Sequence, residues 1–93
     1  MREIDYTHRF KRDYRREQSG LLGKRLQKLM RPVLALLVED KALPPRYRDH
    51  ALSGVWLDHR DCHIRPGLVL IYRFAGKDRV ELVRLGSHSE LGF

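Results

Sequence analysis

The chain has 93 residues, 42% of them hydrophobic and 33% charged, with 19 Lys and Arg against 12 Asp and Glu for a formal charge of +7. That length allows one hydrophobic core and excludes a second, so residues 1–93 are read as a single domain. The basic excess favours an anionic partner, and nucleic acid before a membrane surface, because no basic amphipathic helix stands beside a lipid-anchor signal. No stretch approaches the ~20 apolar residues of a membrane span. The opening Met1-Arg2-Glu3-Ile4-Asp5 lacks a signal peptide's apolar run, which predicts a cytoplasmic location. One cysteine, Cys62, excludes an internal disulfide and reads as a small apolar residue in a strand.

Arg2–Tyr6 predicts a short strand. Thr7 suits a helix N-cap, and a basic helix follows to about Gln18, with Phe10 and Tyr14 toward the core and Lys11, Arg12, Arg15 and Arg16 outside. Ser19-Gly20 marks a break. A second helix is expected from about Leu22 to Glu39, because Leu22, Leu26, Leu29, Val33, Leu36 and Leu37 recur at helical spacing. Pro32 inside it predicts a kink or a fresh start. Asp40–Ser53, with Pro44-Pro45, reads as a loop. The period then changes to that of strands over Val55–Ile64, Leu68–Phe74 and Val80–Leu85. Their turns, Arg65-Pro66-Gly67 and Ala75-Gly76-Lys77-Asp78, are short enough for antiparallel hairpins. Leu68-Val69-Leu70-Ile71-Tyr72 is apolar on both faces and should be the central strand. The fold class is α+β: an N-terminal strand and a helix hairpin packed on one face of an antiparallel sheet, the other face free for a ligand. With Val55–Ile64 extended, His59, Asp61 and His63 share a side. On the last strand Val80, Leu82 and Arg84 should share a face, with Arg84 at a cleft rim beside Gly86-Ser87-His88.

Four of the five histidines fall within Arg48–His63 and Arg84–Phe93, beside arginines. Imidazoles transfer protons near neutral pH and guanidinium groups hold phosphate. Cleaving RNA through its 2′-hydroxyl requires removing that proton, stabilising charge on the phosphorus and protonating the leaving 5′-oxygen. Groups titrating near the working pH do such transfers best, each contributing roughly 10²–10⁴-fold. His50, His63, His88 and Arg84 satisfy that list, with Asp61 as a possible orienter of an imidazole. Singly, His8 reads as a helix-surface residue and His59 as a solvated strand residue. Trp56 reads as a core or sheet-face aromatic, whereas Phe93 is a candidate for stacking on a base. Arg48, Arg60, Arg65 and Arg73 are candidates for RNA binding. No metal or cofactor is expected, since a strand spreads ligands such as His59, Asp61 and His63 about 6–7 Å per two residues. Arg12, Arg15, Arg16, Lys24, Arg25 and Lys28 read as a solvated helix face, with ribosomal RNA or an acidic partner as the functional alternative.

Four segments carry a resemblance: Leu43–Gly54 with Arg48-Asp49-His50, then Arg60-Asp61-Cys62-His63-Ile64, Leu70-Ile71-Tyr72-Arg73, and Arg84-Leu85-Gly86-Ser87-His88-Ser89-Glu90-Leu91. On these the chain resembles the YafQ branch of the RelE/ParE toxin superfamily, the mRNA-cleaving toxins of type II toxin–antitoxin systems. The resemblance implies the compact RelE-like domain and a metal-independent endoribonuclease that cuts mRNA in the ribosomal A site, beside 16S rRNA. It also implies a cognate acidic antitoxin, bound as a hetero-oligomer. Carried over residue by residue, His50, His63, Arg84 and His88 match catalytic positions: His88 as general acid, Arg84 as phosphate clamp, His50 and His63 sharing base and positioning work. Two departures stand out. Where the family has Pro-Asp-Trp, this chain has Pro66-Gly67-Leu68 and no carboxylate, and Gly92 intervenes before Phe93. Two other readings remain: a ParE-like gyrase-directed toxin, whose relatives lack the histidine set, and a non-catalytic RNA- or antitoxin-binding module, which the missing carboxylate keeps open.

Overall fold

β1 (Glu3–Tyr6) runs into α1 (His8–Gln18) through Thr7; the computed structural model describes residues 1–93. The Thr7 hydroxyl accepts from the Phe10 N–H at 3.0 Å and donates to the Val83 carbonyl at 2.8 Å. One side chain therefore caps the helix and ties it to a strand far along the chain. Loss of such a cap costs about 1 kcal/mol.

α2 spans Arg25–Val38 and buries Leu26, Met30, Val33 and Leu37, each no more than 2% exposed. Spacings of four, three and four put these side chains on one stripe, and burying each contributes roughly 1.5–3 kcal/mol. The helix starts three residues after Leu22, since Gly23 takes a left-handed φ of +51°. It neither breaks nor restarts at Pro32. That ring lies on the exposed side, so the missing N–H removes one solvent-side bond while the buried stripe continues unbroken.

The sheet is completed by β2 (His50–Ala51), β3 (Arg60–Arg65), β4 (Leu68–Ala75) and β5 (Arg79–Gly86), in the order β1-β5-β4-β3-β2. β1 runs parallel to β5 and the other pairs are antiparallel, so the sheet is mixed rather than antiparallel throughout. β4 is the central strand, as its two apolar faces predict. Within Asp40–Ser53, read as a loop, Pro45–Tyr47 forms a 3₁₀ turn that buries Tyr47, and His50–Ala51 adds the edge strand. The expected strand from Val55 is displaced. Gly54–Trp56 forms another 3₁₀ turn, and Gly54 and Asp58 hold left-handed φ of +66° and +69°, so extended backbone begins only at Arg60. His59 therefore precedes the strand.

One face of the sheet meets α1 and α2 through Cys62, Leu70, Tyr72, Val80, Leu82 and Leu85. The other carries Val69 and Ile71, covered by Leu91, Leu52, Trp56 and Val83. Between β4 and β5 the register jumps from Ile71↔Arg84 to Tyr72↔Leu82, leaving Val83 as an extra residue. This bulge takes Arg84 out of alternation with Val80 and Leu82, so the three do not share a face.

Candidate active site

Cross-strand pairing sets His50 opposite Asp61, Asp61 opposite Ile71, and His63 opposite Val69. Directly paired residues share a face, so Asp61 and His63 stand on the side away from α1 and α2. The chain then ends β5 at Gly86 and turns into α3 (His88–Leu91), whose capping box joins the Ser87 hydroxyl to the Glu90 N–H at 3.2 Å and the Glu90 carboxylate to the Ser87 N–H at 2.8 Å. This fixes His88 as the first residue of α3, with its ring centroid 5.1 Å from that of His63. Gly92, at φ +85°, reverses the chain so that the Phe93 N–H donates to the His88 carbonyl at 2.9 Å. The Phe93 ring then lies 5.8 Å from His88. The intervening glycine is what brings that ring back.

His50 Nδ1 lies 2.9 Å from the Arg48 carbonyl and 3.1 Å from Asp61 Oδ1. Both neighbours are acceptors, so Nδ1 carries the proton, and in the neutral ring Nε2 is left as a base. Asp61 is 2% exposed and its Oδ1 receives no hydrogen bond of adequate geometry. Burial raises the Asp61 pKa above the ordinary carboxylate range, opposed by the charges of His50, His63 and His88. Burial also lowers the pKa of His63, helped by the positive charges of His88, Arg48 and His50 and opposed by Asp61. His63 is thus biased toward its neutral form.

Arg84 is occupied. Its Nε donates to Asp13 Oδ2 at 2.6 Å and its Nη2 to Oδ1 at 3.3 Å, while Asp13 also accepts from the Leu85 N–H at 3.0 Å and from Arg16 Nη1 at 3.0 Å. Burial alone would push the Asp13 carboxyl up, but the Arg84 hydrogen bond, the Leu85 N–H and the two guanidinium charges hold it below the ordinary range. Arg16 in turn donates to the Leu85 carbonyl at 2.8 Å and pairs with Glu90 at 3.2 Å. A Cβ at Gly86 would come within 2.8 Å of the Arg16 guanidinium, so glycine there makes room for this network.

The remaining candidates divide. Arg48 is exposed, holds a left-handed φ of +50°, and its charge reaches His63. Arg65 is exposed at the end of β3. Arg73 pairs with Glu81 at 2.9 Å. Arg60 lies opposite Tyr72, on the face away from Asp61 and His63, and is clamped by Asp49 at 3.1 Å, which also accepts from the Tyr72 hydroxyl. His59 packs edge-on against Trp56 with centroids 5.3 Å apart, outside the cluster. Cys62 is fully buried and its thiol pKa is pushed far up by burial, which makes it inert. Asp13 and Asp49 gain their roles from Arg84 and Tyr72, 71 and 23 positions away, which no local spacing announces, whereas Glu90 stands three residues after Ser87 in the spacing of a capping box.

A small α+β domain with an imidazole cluster on one sheet face and arginines at its edges carries the groups that proton transfer beside a phosphate requires. Residues 2–92 match the family of the bacterial toxin of type II toxin–antitoxin systems, YafQ, and the chain belongs to that family. It is 35% identical to a putative YafQ toxin of Haemophilus influenzae, covering 95% of this chain and 89% of that protein. It is 32% identical to the mRNA interferase toxin YafQ of Escherichia coli K12, covering 97% and 95%. The toxin in the crystal structure of the E. coli DinJ–YafQ toxin–antitoxin complex superposes with a TM-score of 0.80 at 29% identity, covering 99% and 98%. A metal-bound toxin from Helicobacter pylori does so at 0.81 and 36%, covering 98% and 99%. In this chain no group of three or more His, Cys, Asp or Glu side chains is set to hold a metal ion.

Proposed function

We propose that this chain is the toxin of a type II toxin–antitoxin system and an endoribonuclease that cleaves mRNA in the ribosomal A site. The observation that carries the reading is the set of His50, His63 and His88 converging on buried Asp61, with Phe93 against His88. His50, whose Nε2 is free to accept, takes the 2′-hydroxyl proton while Asp61 and the Arg48 carbonyl hold the ring. The oxygen attacks the phosphorus, and His88 protonates the departing 5′-oxygen. His63, biased toward its neutral form, positions the phosphate between them. Arg48, exposed and unpaired beside His63, offsets the developing charge, while Arg84, held by Asp13, adds a fixed positive charge at the end of β5. Phe93 offers a ring for a base to stack on. No step needs a metal. The gyrase-directed alternative has no use for three imidazoles on one face.

Purified protein added to cell-free translation, with breaks mapped by primer extension, tests this. EDTA-stripped wild type should cut at ribosome-occupied codons, and His88→Ala should cut roughly 10²–10⁴-fold more slowly with unchanged melting. Full toxicity of His88→Ala, or intact mRNA with the wild type, sinks the reading.

The partner is a cognate antitoxin with an acidic segment that covers Arg84 and His88. Its apolar part has a seat in the groove of about 740 Å³ between α1, α2 and β1, floored by Ile4, Phe10, Met30 and Leu34 and edged by Lys11 and Arg31. Co-purification with only a basic partner counts against this.

A further inference from the structure

The side of α1 opposite that apolar groove carries a second concavity. It measures about 390 Å³ and is lined by Arg9, Arg12, Asp13, Arg16 and Arg84, with no apolar residue among them. Four guanidinium groups thus surround one carboxylate, and that carboxylate is already used. Both Asp13 oxygens are taken by Arg84, Arg16 and the Leu85 N–H. Arg16 is likewise consumed by Asp13, Glu17, Glu90 and the Leu85 carbonyl. Arg9 and Arg12 are exposed and make no ion pair or side-chain hydrogen bond. They lie three apart on one helix face, where like charges repel. The chain offers nothing that answers them.

We infer that this arginine-lined pocket is a second phosphate site, holding an RNA phosphodiester other than the one being cleaved, with Arg9 and Arg12 as its free donors and Arg84 as its fixed wall. The inference rests on the RNA-cleaving reading and extends it to a subsite. Guanidinium forks match phosphate oxygens two at a time. The Asp13 network removes side-chain entropy from Arg84 and Arg16 before any ligand arrives. An acidic antitoxin segment lying over Arg84 would compete for this pocket. The pocket lacks the apolar lining that a peptide seat needs and that the groove on the other side of α1 has, so RNA is the ligand it is built for. Arg84 lies three residues before Ser87, so the pocket and the histidine cluster hang from the same end of β5.

The test is a salt titration of Arg9→Gln/Arg12→Gln binding to a 2′-O-methyl oligonucleotide, which lacks the nucleophile and survives intact, and in parallel to vacant ribosomes. Loss of one single-strand phosphate contact should reduce the slope of log affinity against log salt by about 0.7, with affinity at low salt falling several-fold. A reduced slope on the oligonucleotide assigns the phosphate to mRNA. A reduction on ribosomes alone assigns it to ribosomal RNA. Unchanged slopes on both overturn the inference, as does a loss confined to antitoxin binding. Both positions are exposed, so the single variants Arg9→Gln and Arg12→Gln serve if the double variant melts early. Arg12→Lys should restore the slope with weaker binding, since it keeps the charge and loses the fork. Failure of the cleavage reading would show separately, as uncut mRNA with the phosphate-dependent slope intact.

Discussion

Asp13 and Asp61 are the chain's two buried charged residues, 4% and 2% exposed, and they are opposites. Asp13 has a donor for every oxygen direction: a guanidinium fork from Arg84, a second arginine and a backbone N–H. Asp61 has an oxygen without a satisfactory donor and three imidazoles nearby, the closest of which also faces a carbonyl. One carboxyl is held below the ordinary range, the other is raised above it. Full satisfaction of a buried charge marks a group that holds the fold together. An unsatisfied one costs stability and persists where its field acts on something else.

The largest expected effect follows from removing the satisfied carboxylate. Asp13→Ala leaves Arg84, whose side chain is 12% exposed, without its partner and strips an acceptor from the Leu85 N–H. Breaking a buried pair on one side costs about 3–5 kcal/mol, and each kcal/mol is about 4–8 °C in Tm for a domain of this size. Thermal melting should fall by well over 10 °C. The depressed carboxyl also predicts acid sensitivity: its stabilisation is present above the unfolded pKa of about 3.9 and disappears as the pH drops through the lower folded value. A variant that melts within two or three degrees of wild type would show that Asp13 is not the anchor.

Asp61→Asn should act in the other direction on stability and against activity. A raised carboxyl pKa favours folding fully only below the unfolded value near 3.9, and the gain is lost as pH rises through the folded one. At pH 7 the ionised group is therefore a cost. Asn removes it, so Tm should hold or rise at pH 7, with the difference from wild type closing below about pH 4. Cleavage should fall about tenfold or more as His50 loses its orienting charge. His63, already below 6.5, should titrate lower still once Asp61's supporting charge is gone. An NMR titration of the His63 ring should show its midpoint moving down in the variant. Destabilisation at pH 7 with an unmoved His63 midpoint would make Asp61 merely structural.

The same contrast explains what the sequence made legible. Thr7 as N-cap and the two apolar faces of β4 are local patterns, and each appears where its spacing indicates. Of the stripe expected for the second helix, Leu26, Val33 and Leu37 are buried, while Met30 joins them and Leu22, Leu29 and Leu36 are only partly buried. Phe10, four residues before Tyr14, likewise packs inward. What fails is non-local. The parallel pairing of β1 with β5 joins Ile4 to Val80, and no turn motif announces it. The bulge at Val83 changes where Arg84 stands without altering the alternating pattern of the strand. Left-handed Asp58 delays the start of an expected strand, since a non-glycine residue with positive φ gives little compositional warning. The histidines were visible as residues, but their distances depend on pairing His50 with Asp61 and on the turn into α3. Asp13's role is legible only once Arg84 and Leu85 are beside it.

Gly67 gives the smallest and most discriminating test of how far Asp61 serves in place of the missing carboxylate. Gly67 sits in the two-residue turn between β3 and β4, where Arg65 pairs with Leu68, at φ +84°. A Cβ built there meets nothing within 4 Å, so Gly67→Asp is limited by backbone conformation rather than space. The left-handed region costs about 1–2 kcal/mol for a residue with a Cβ, and Asp tolerates it better than most. Tm should drop by a few degrees. If Asp61 alone supplies too little negative charge to the imidazoles, the new carboxylate should raise the cleavage rate several-fold in wild-type background and recover part of the loss in Asp61→Asn. An unchanged rate in both backgrounds would mean that a carboxylate at this turn does not act on the imidazoles. A rate rise only in the Asp61→Asn background would mean that the two positions are interchangeable sources of one field.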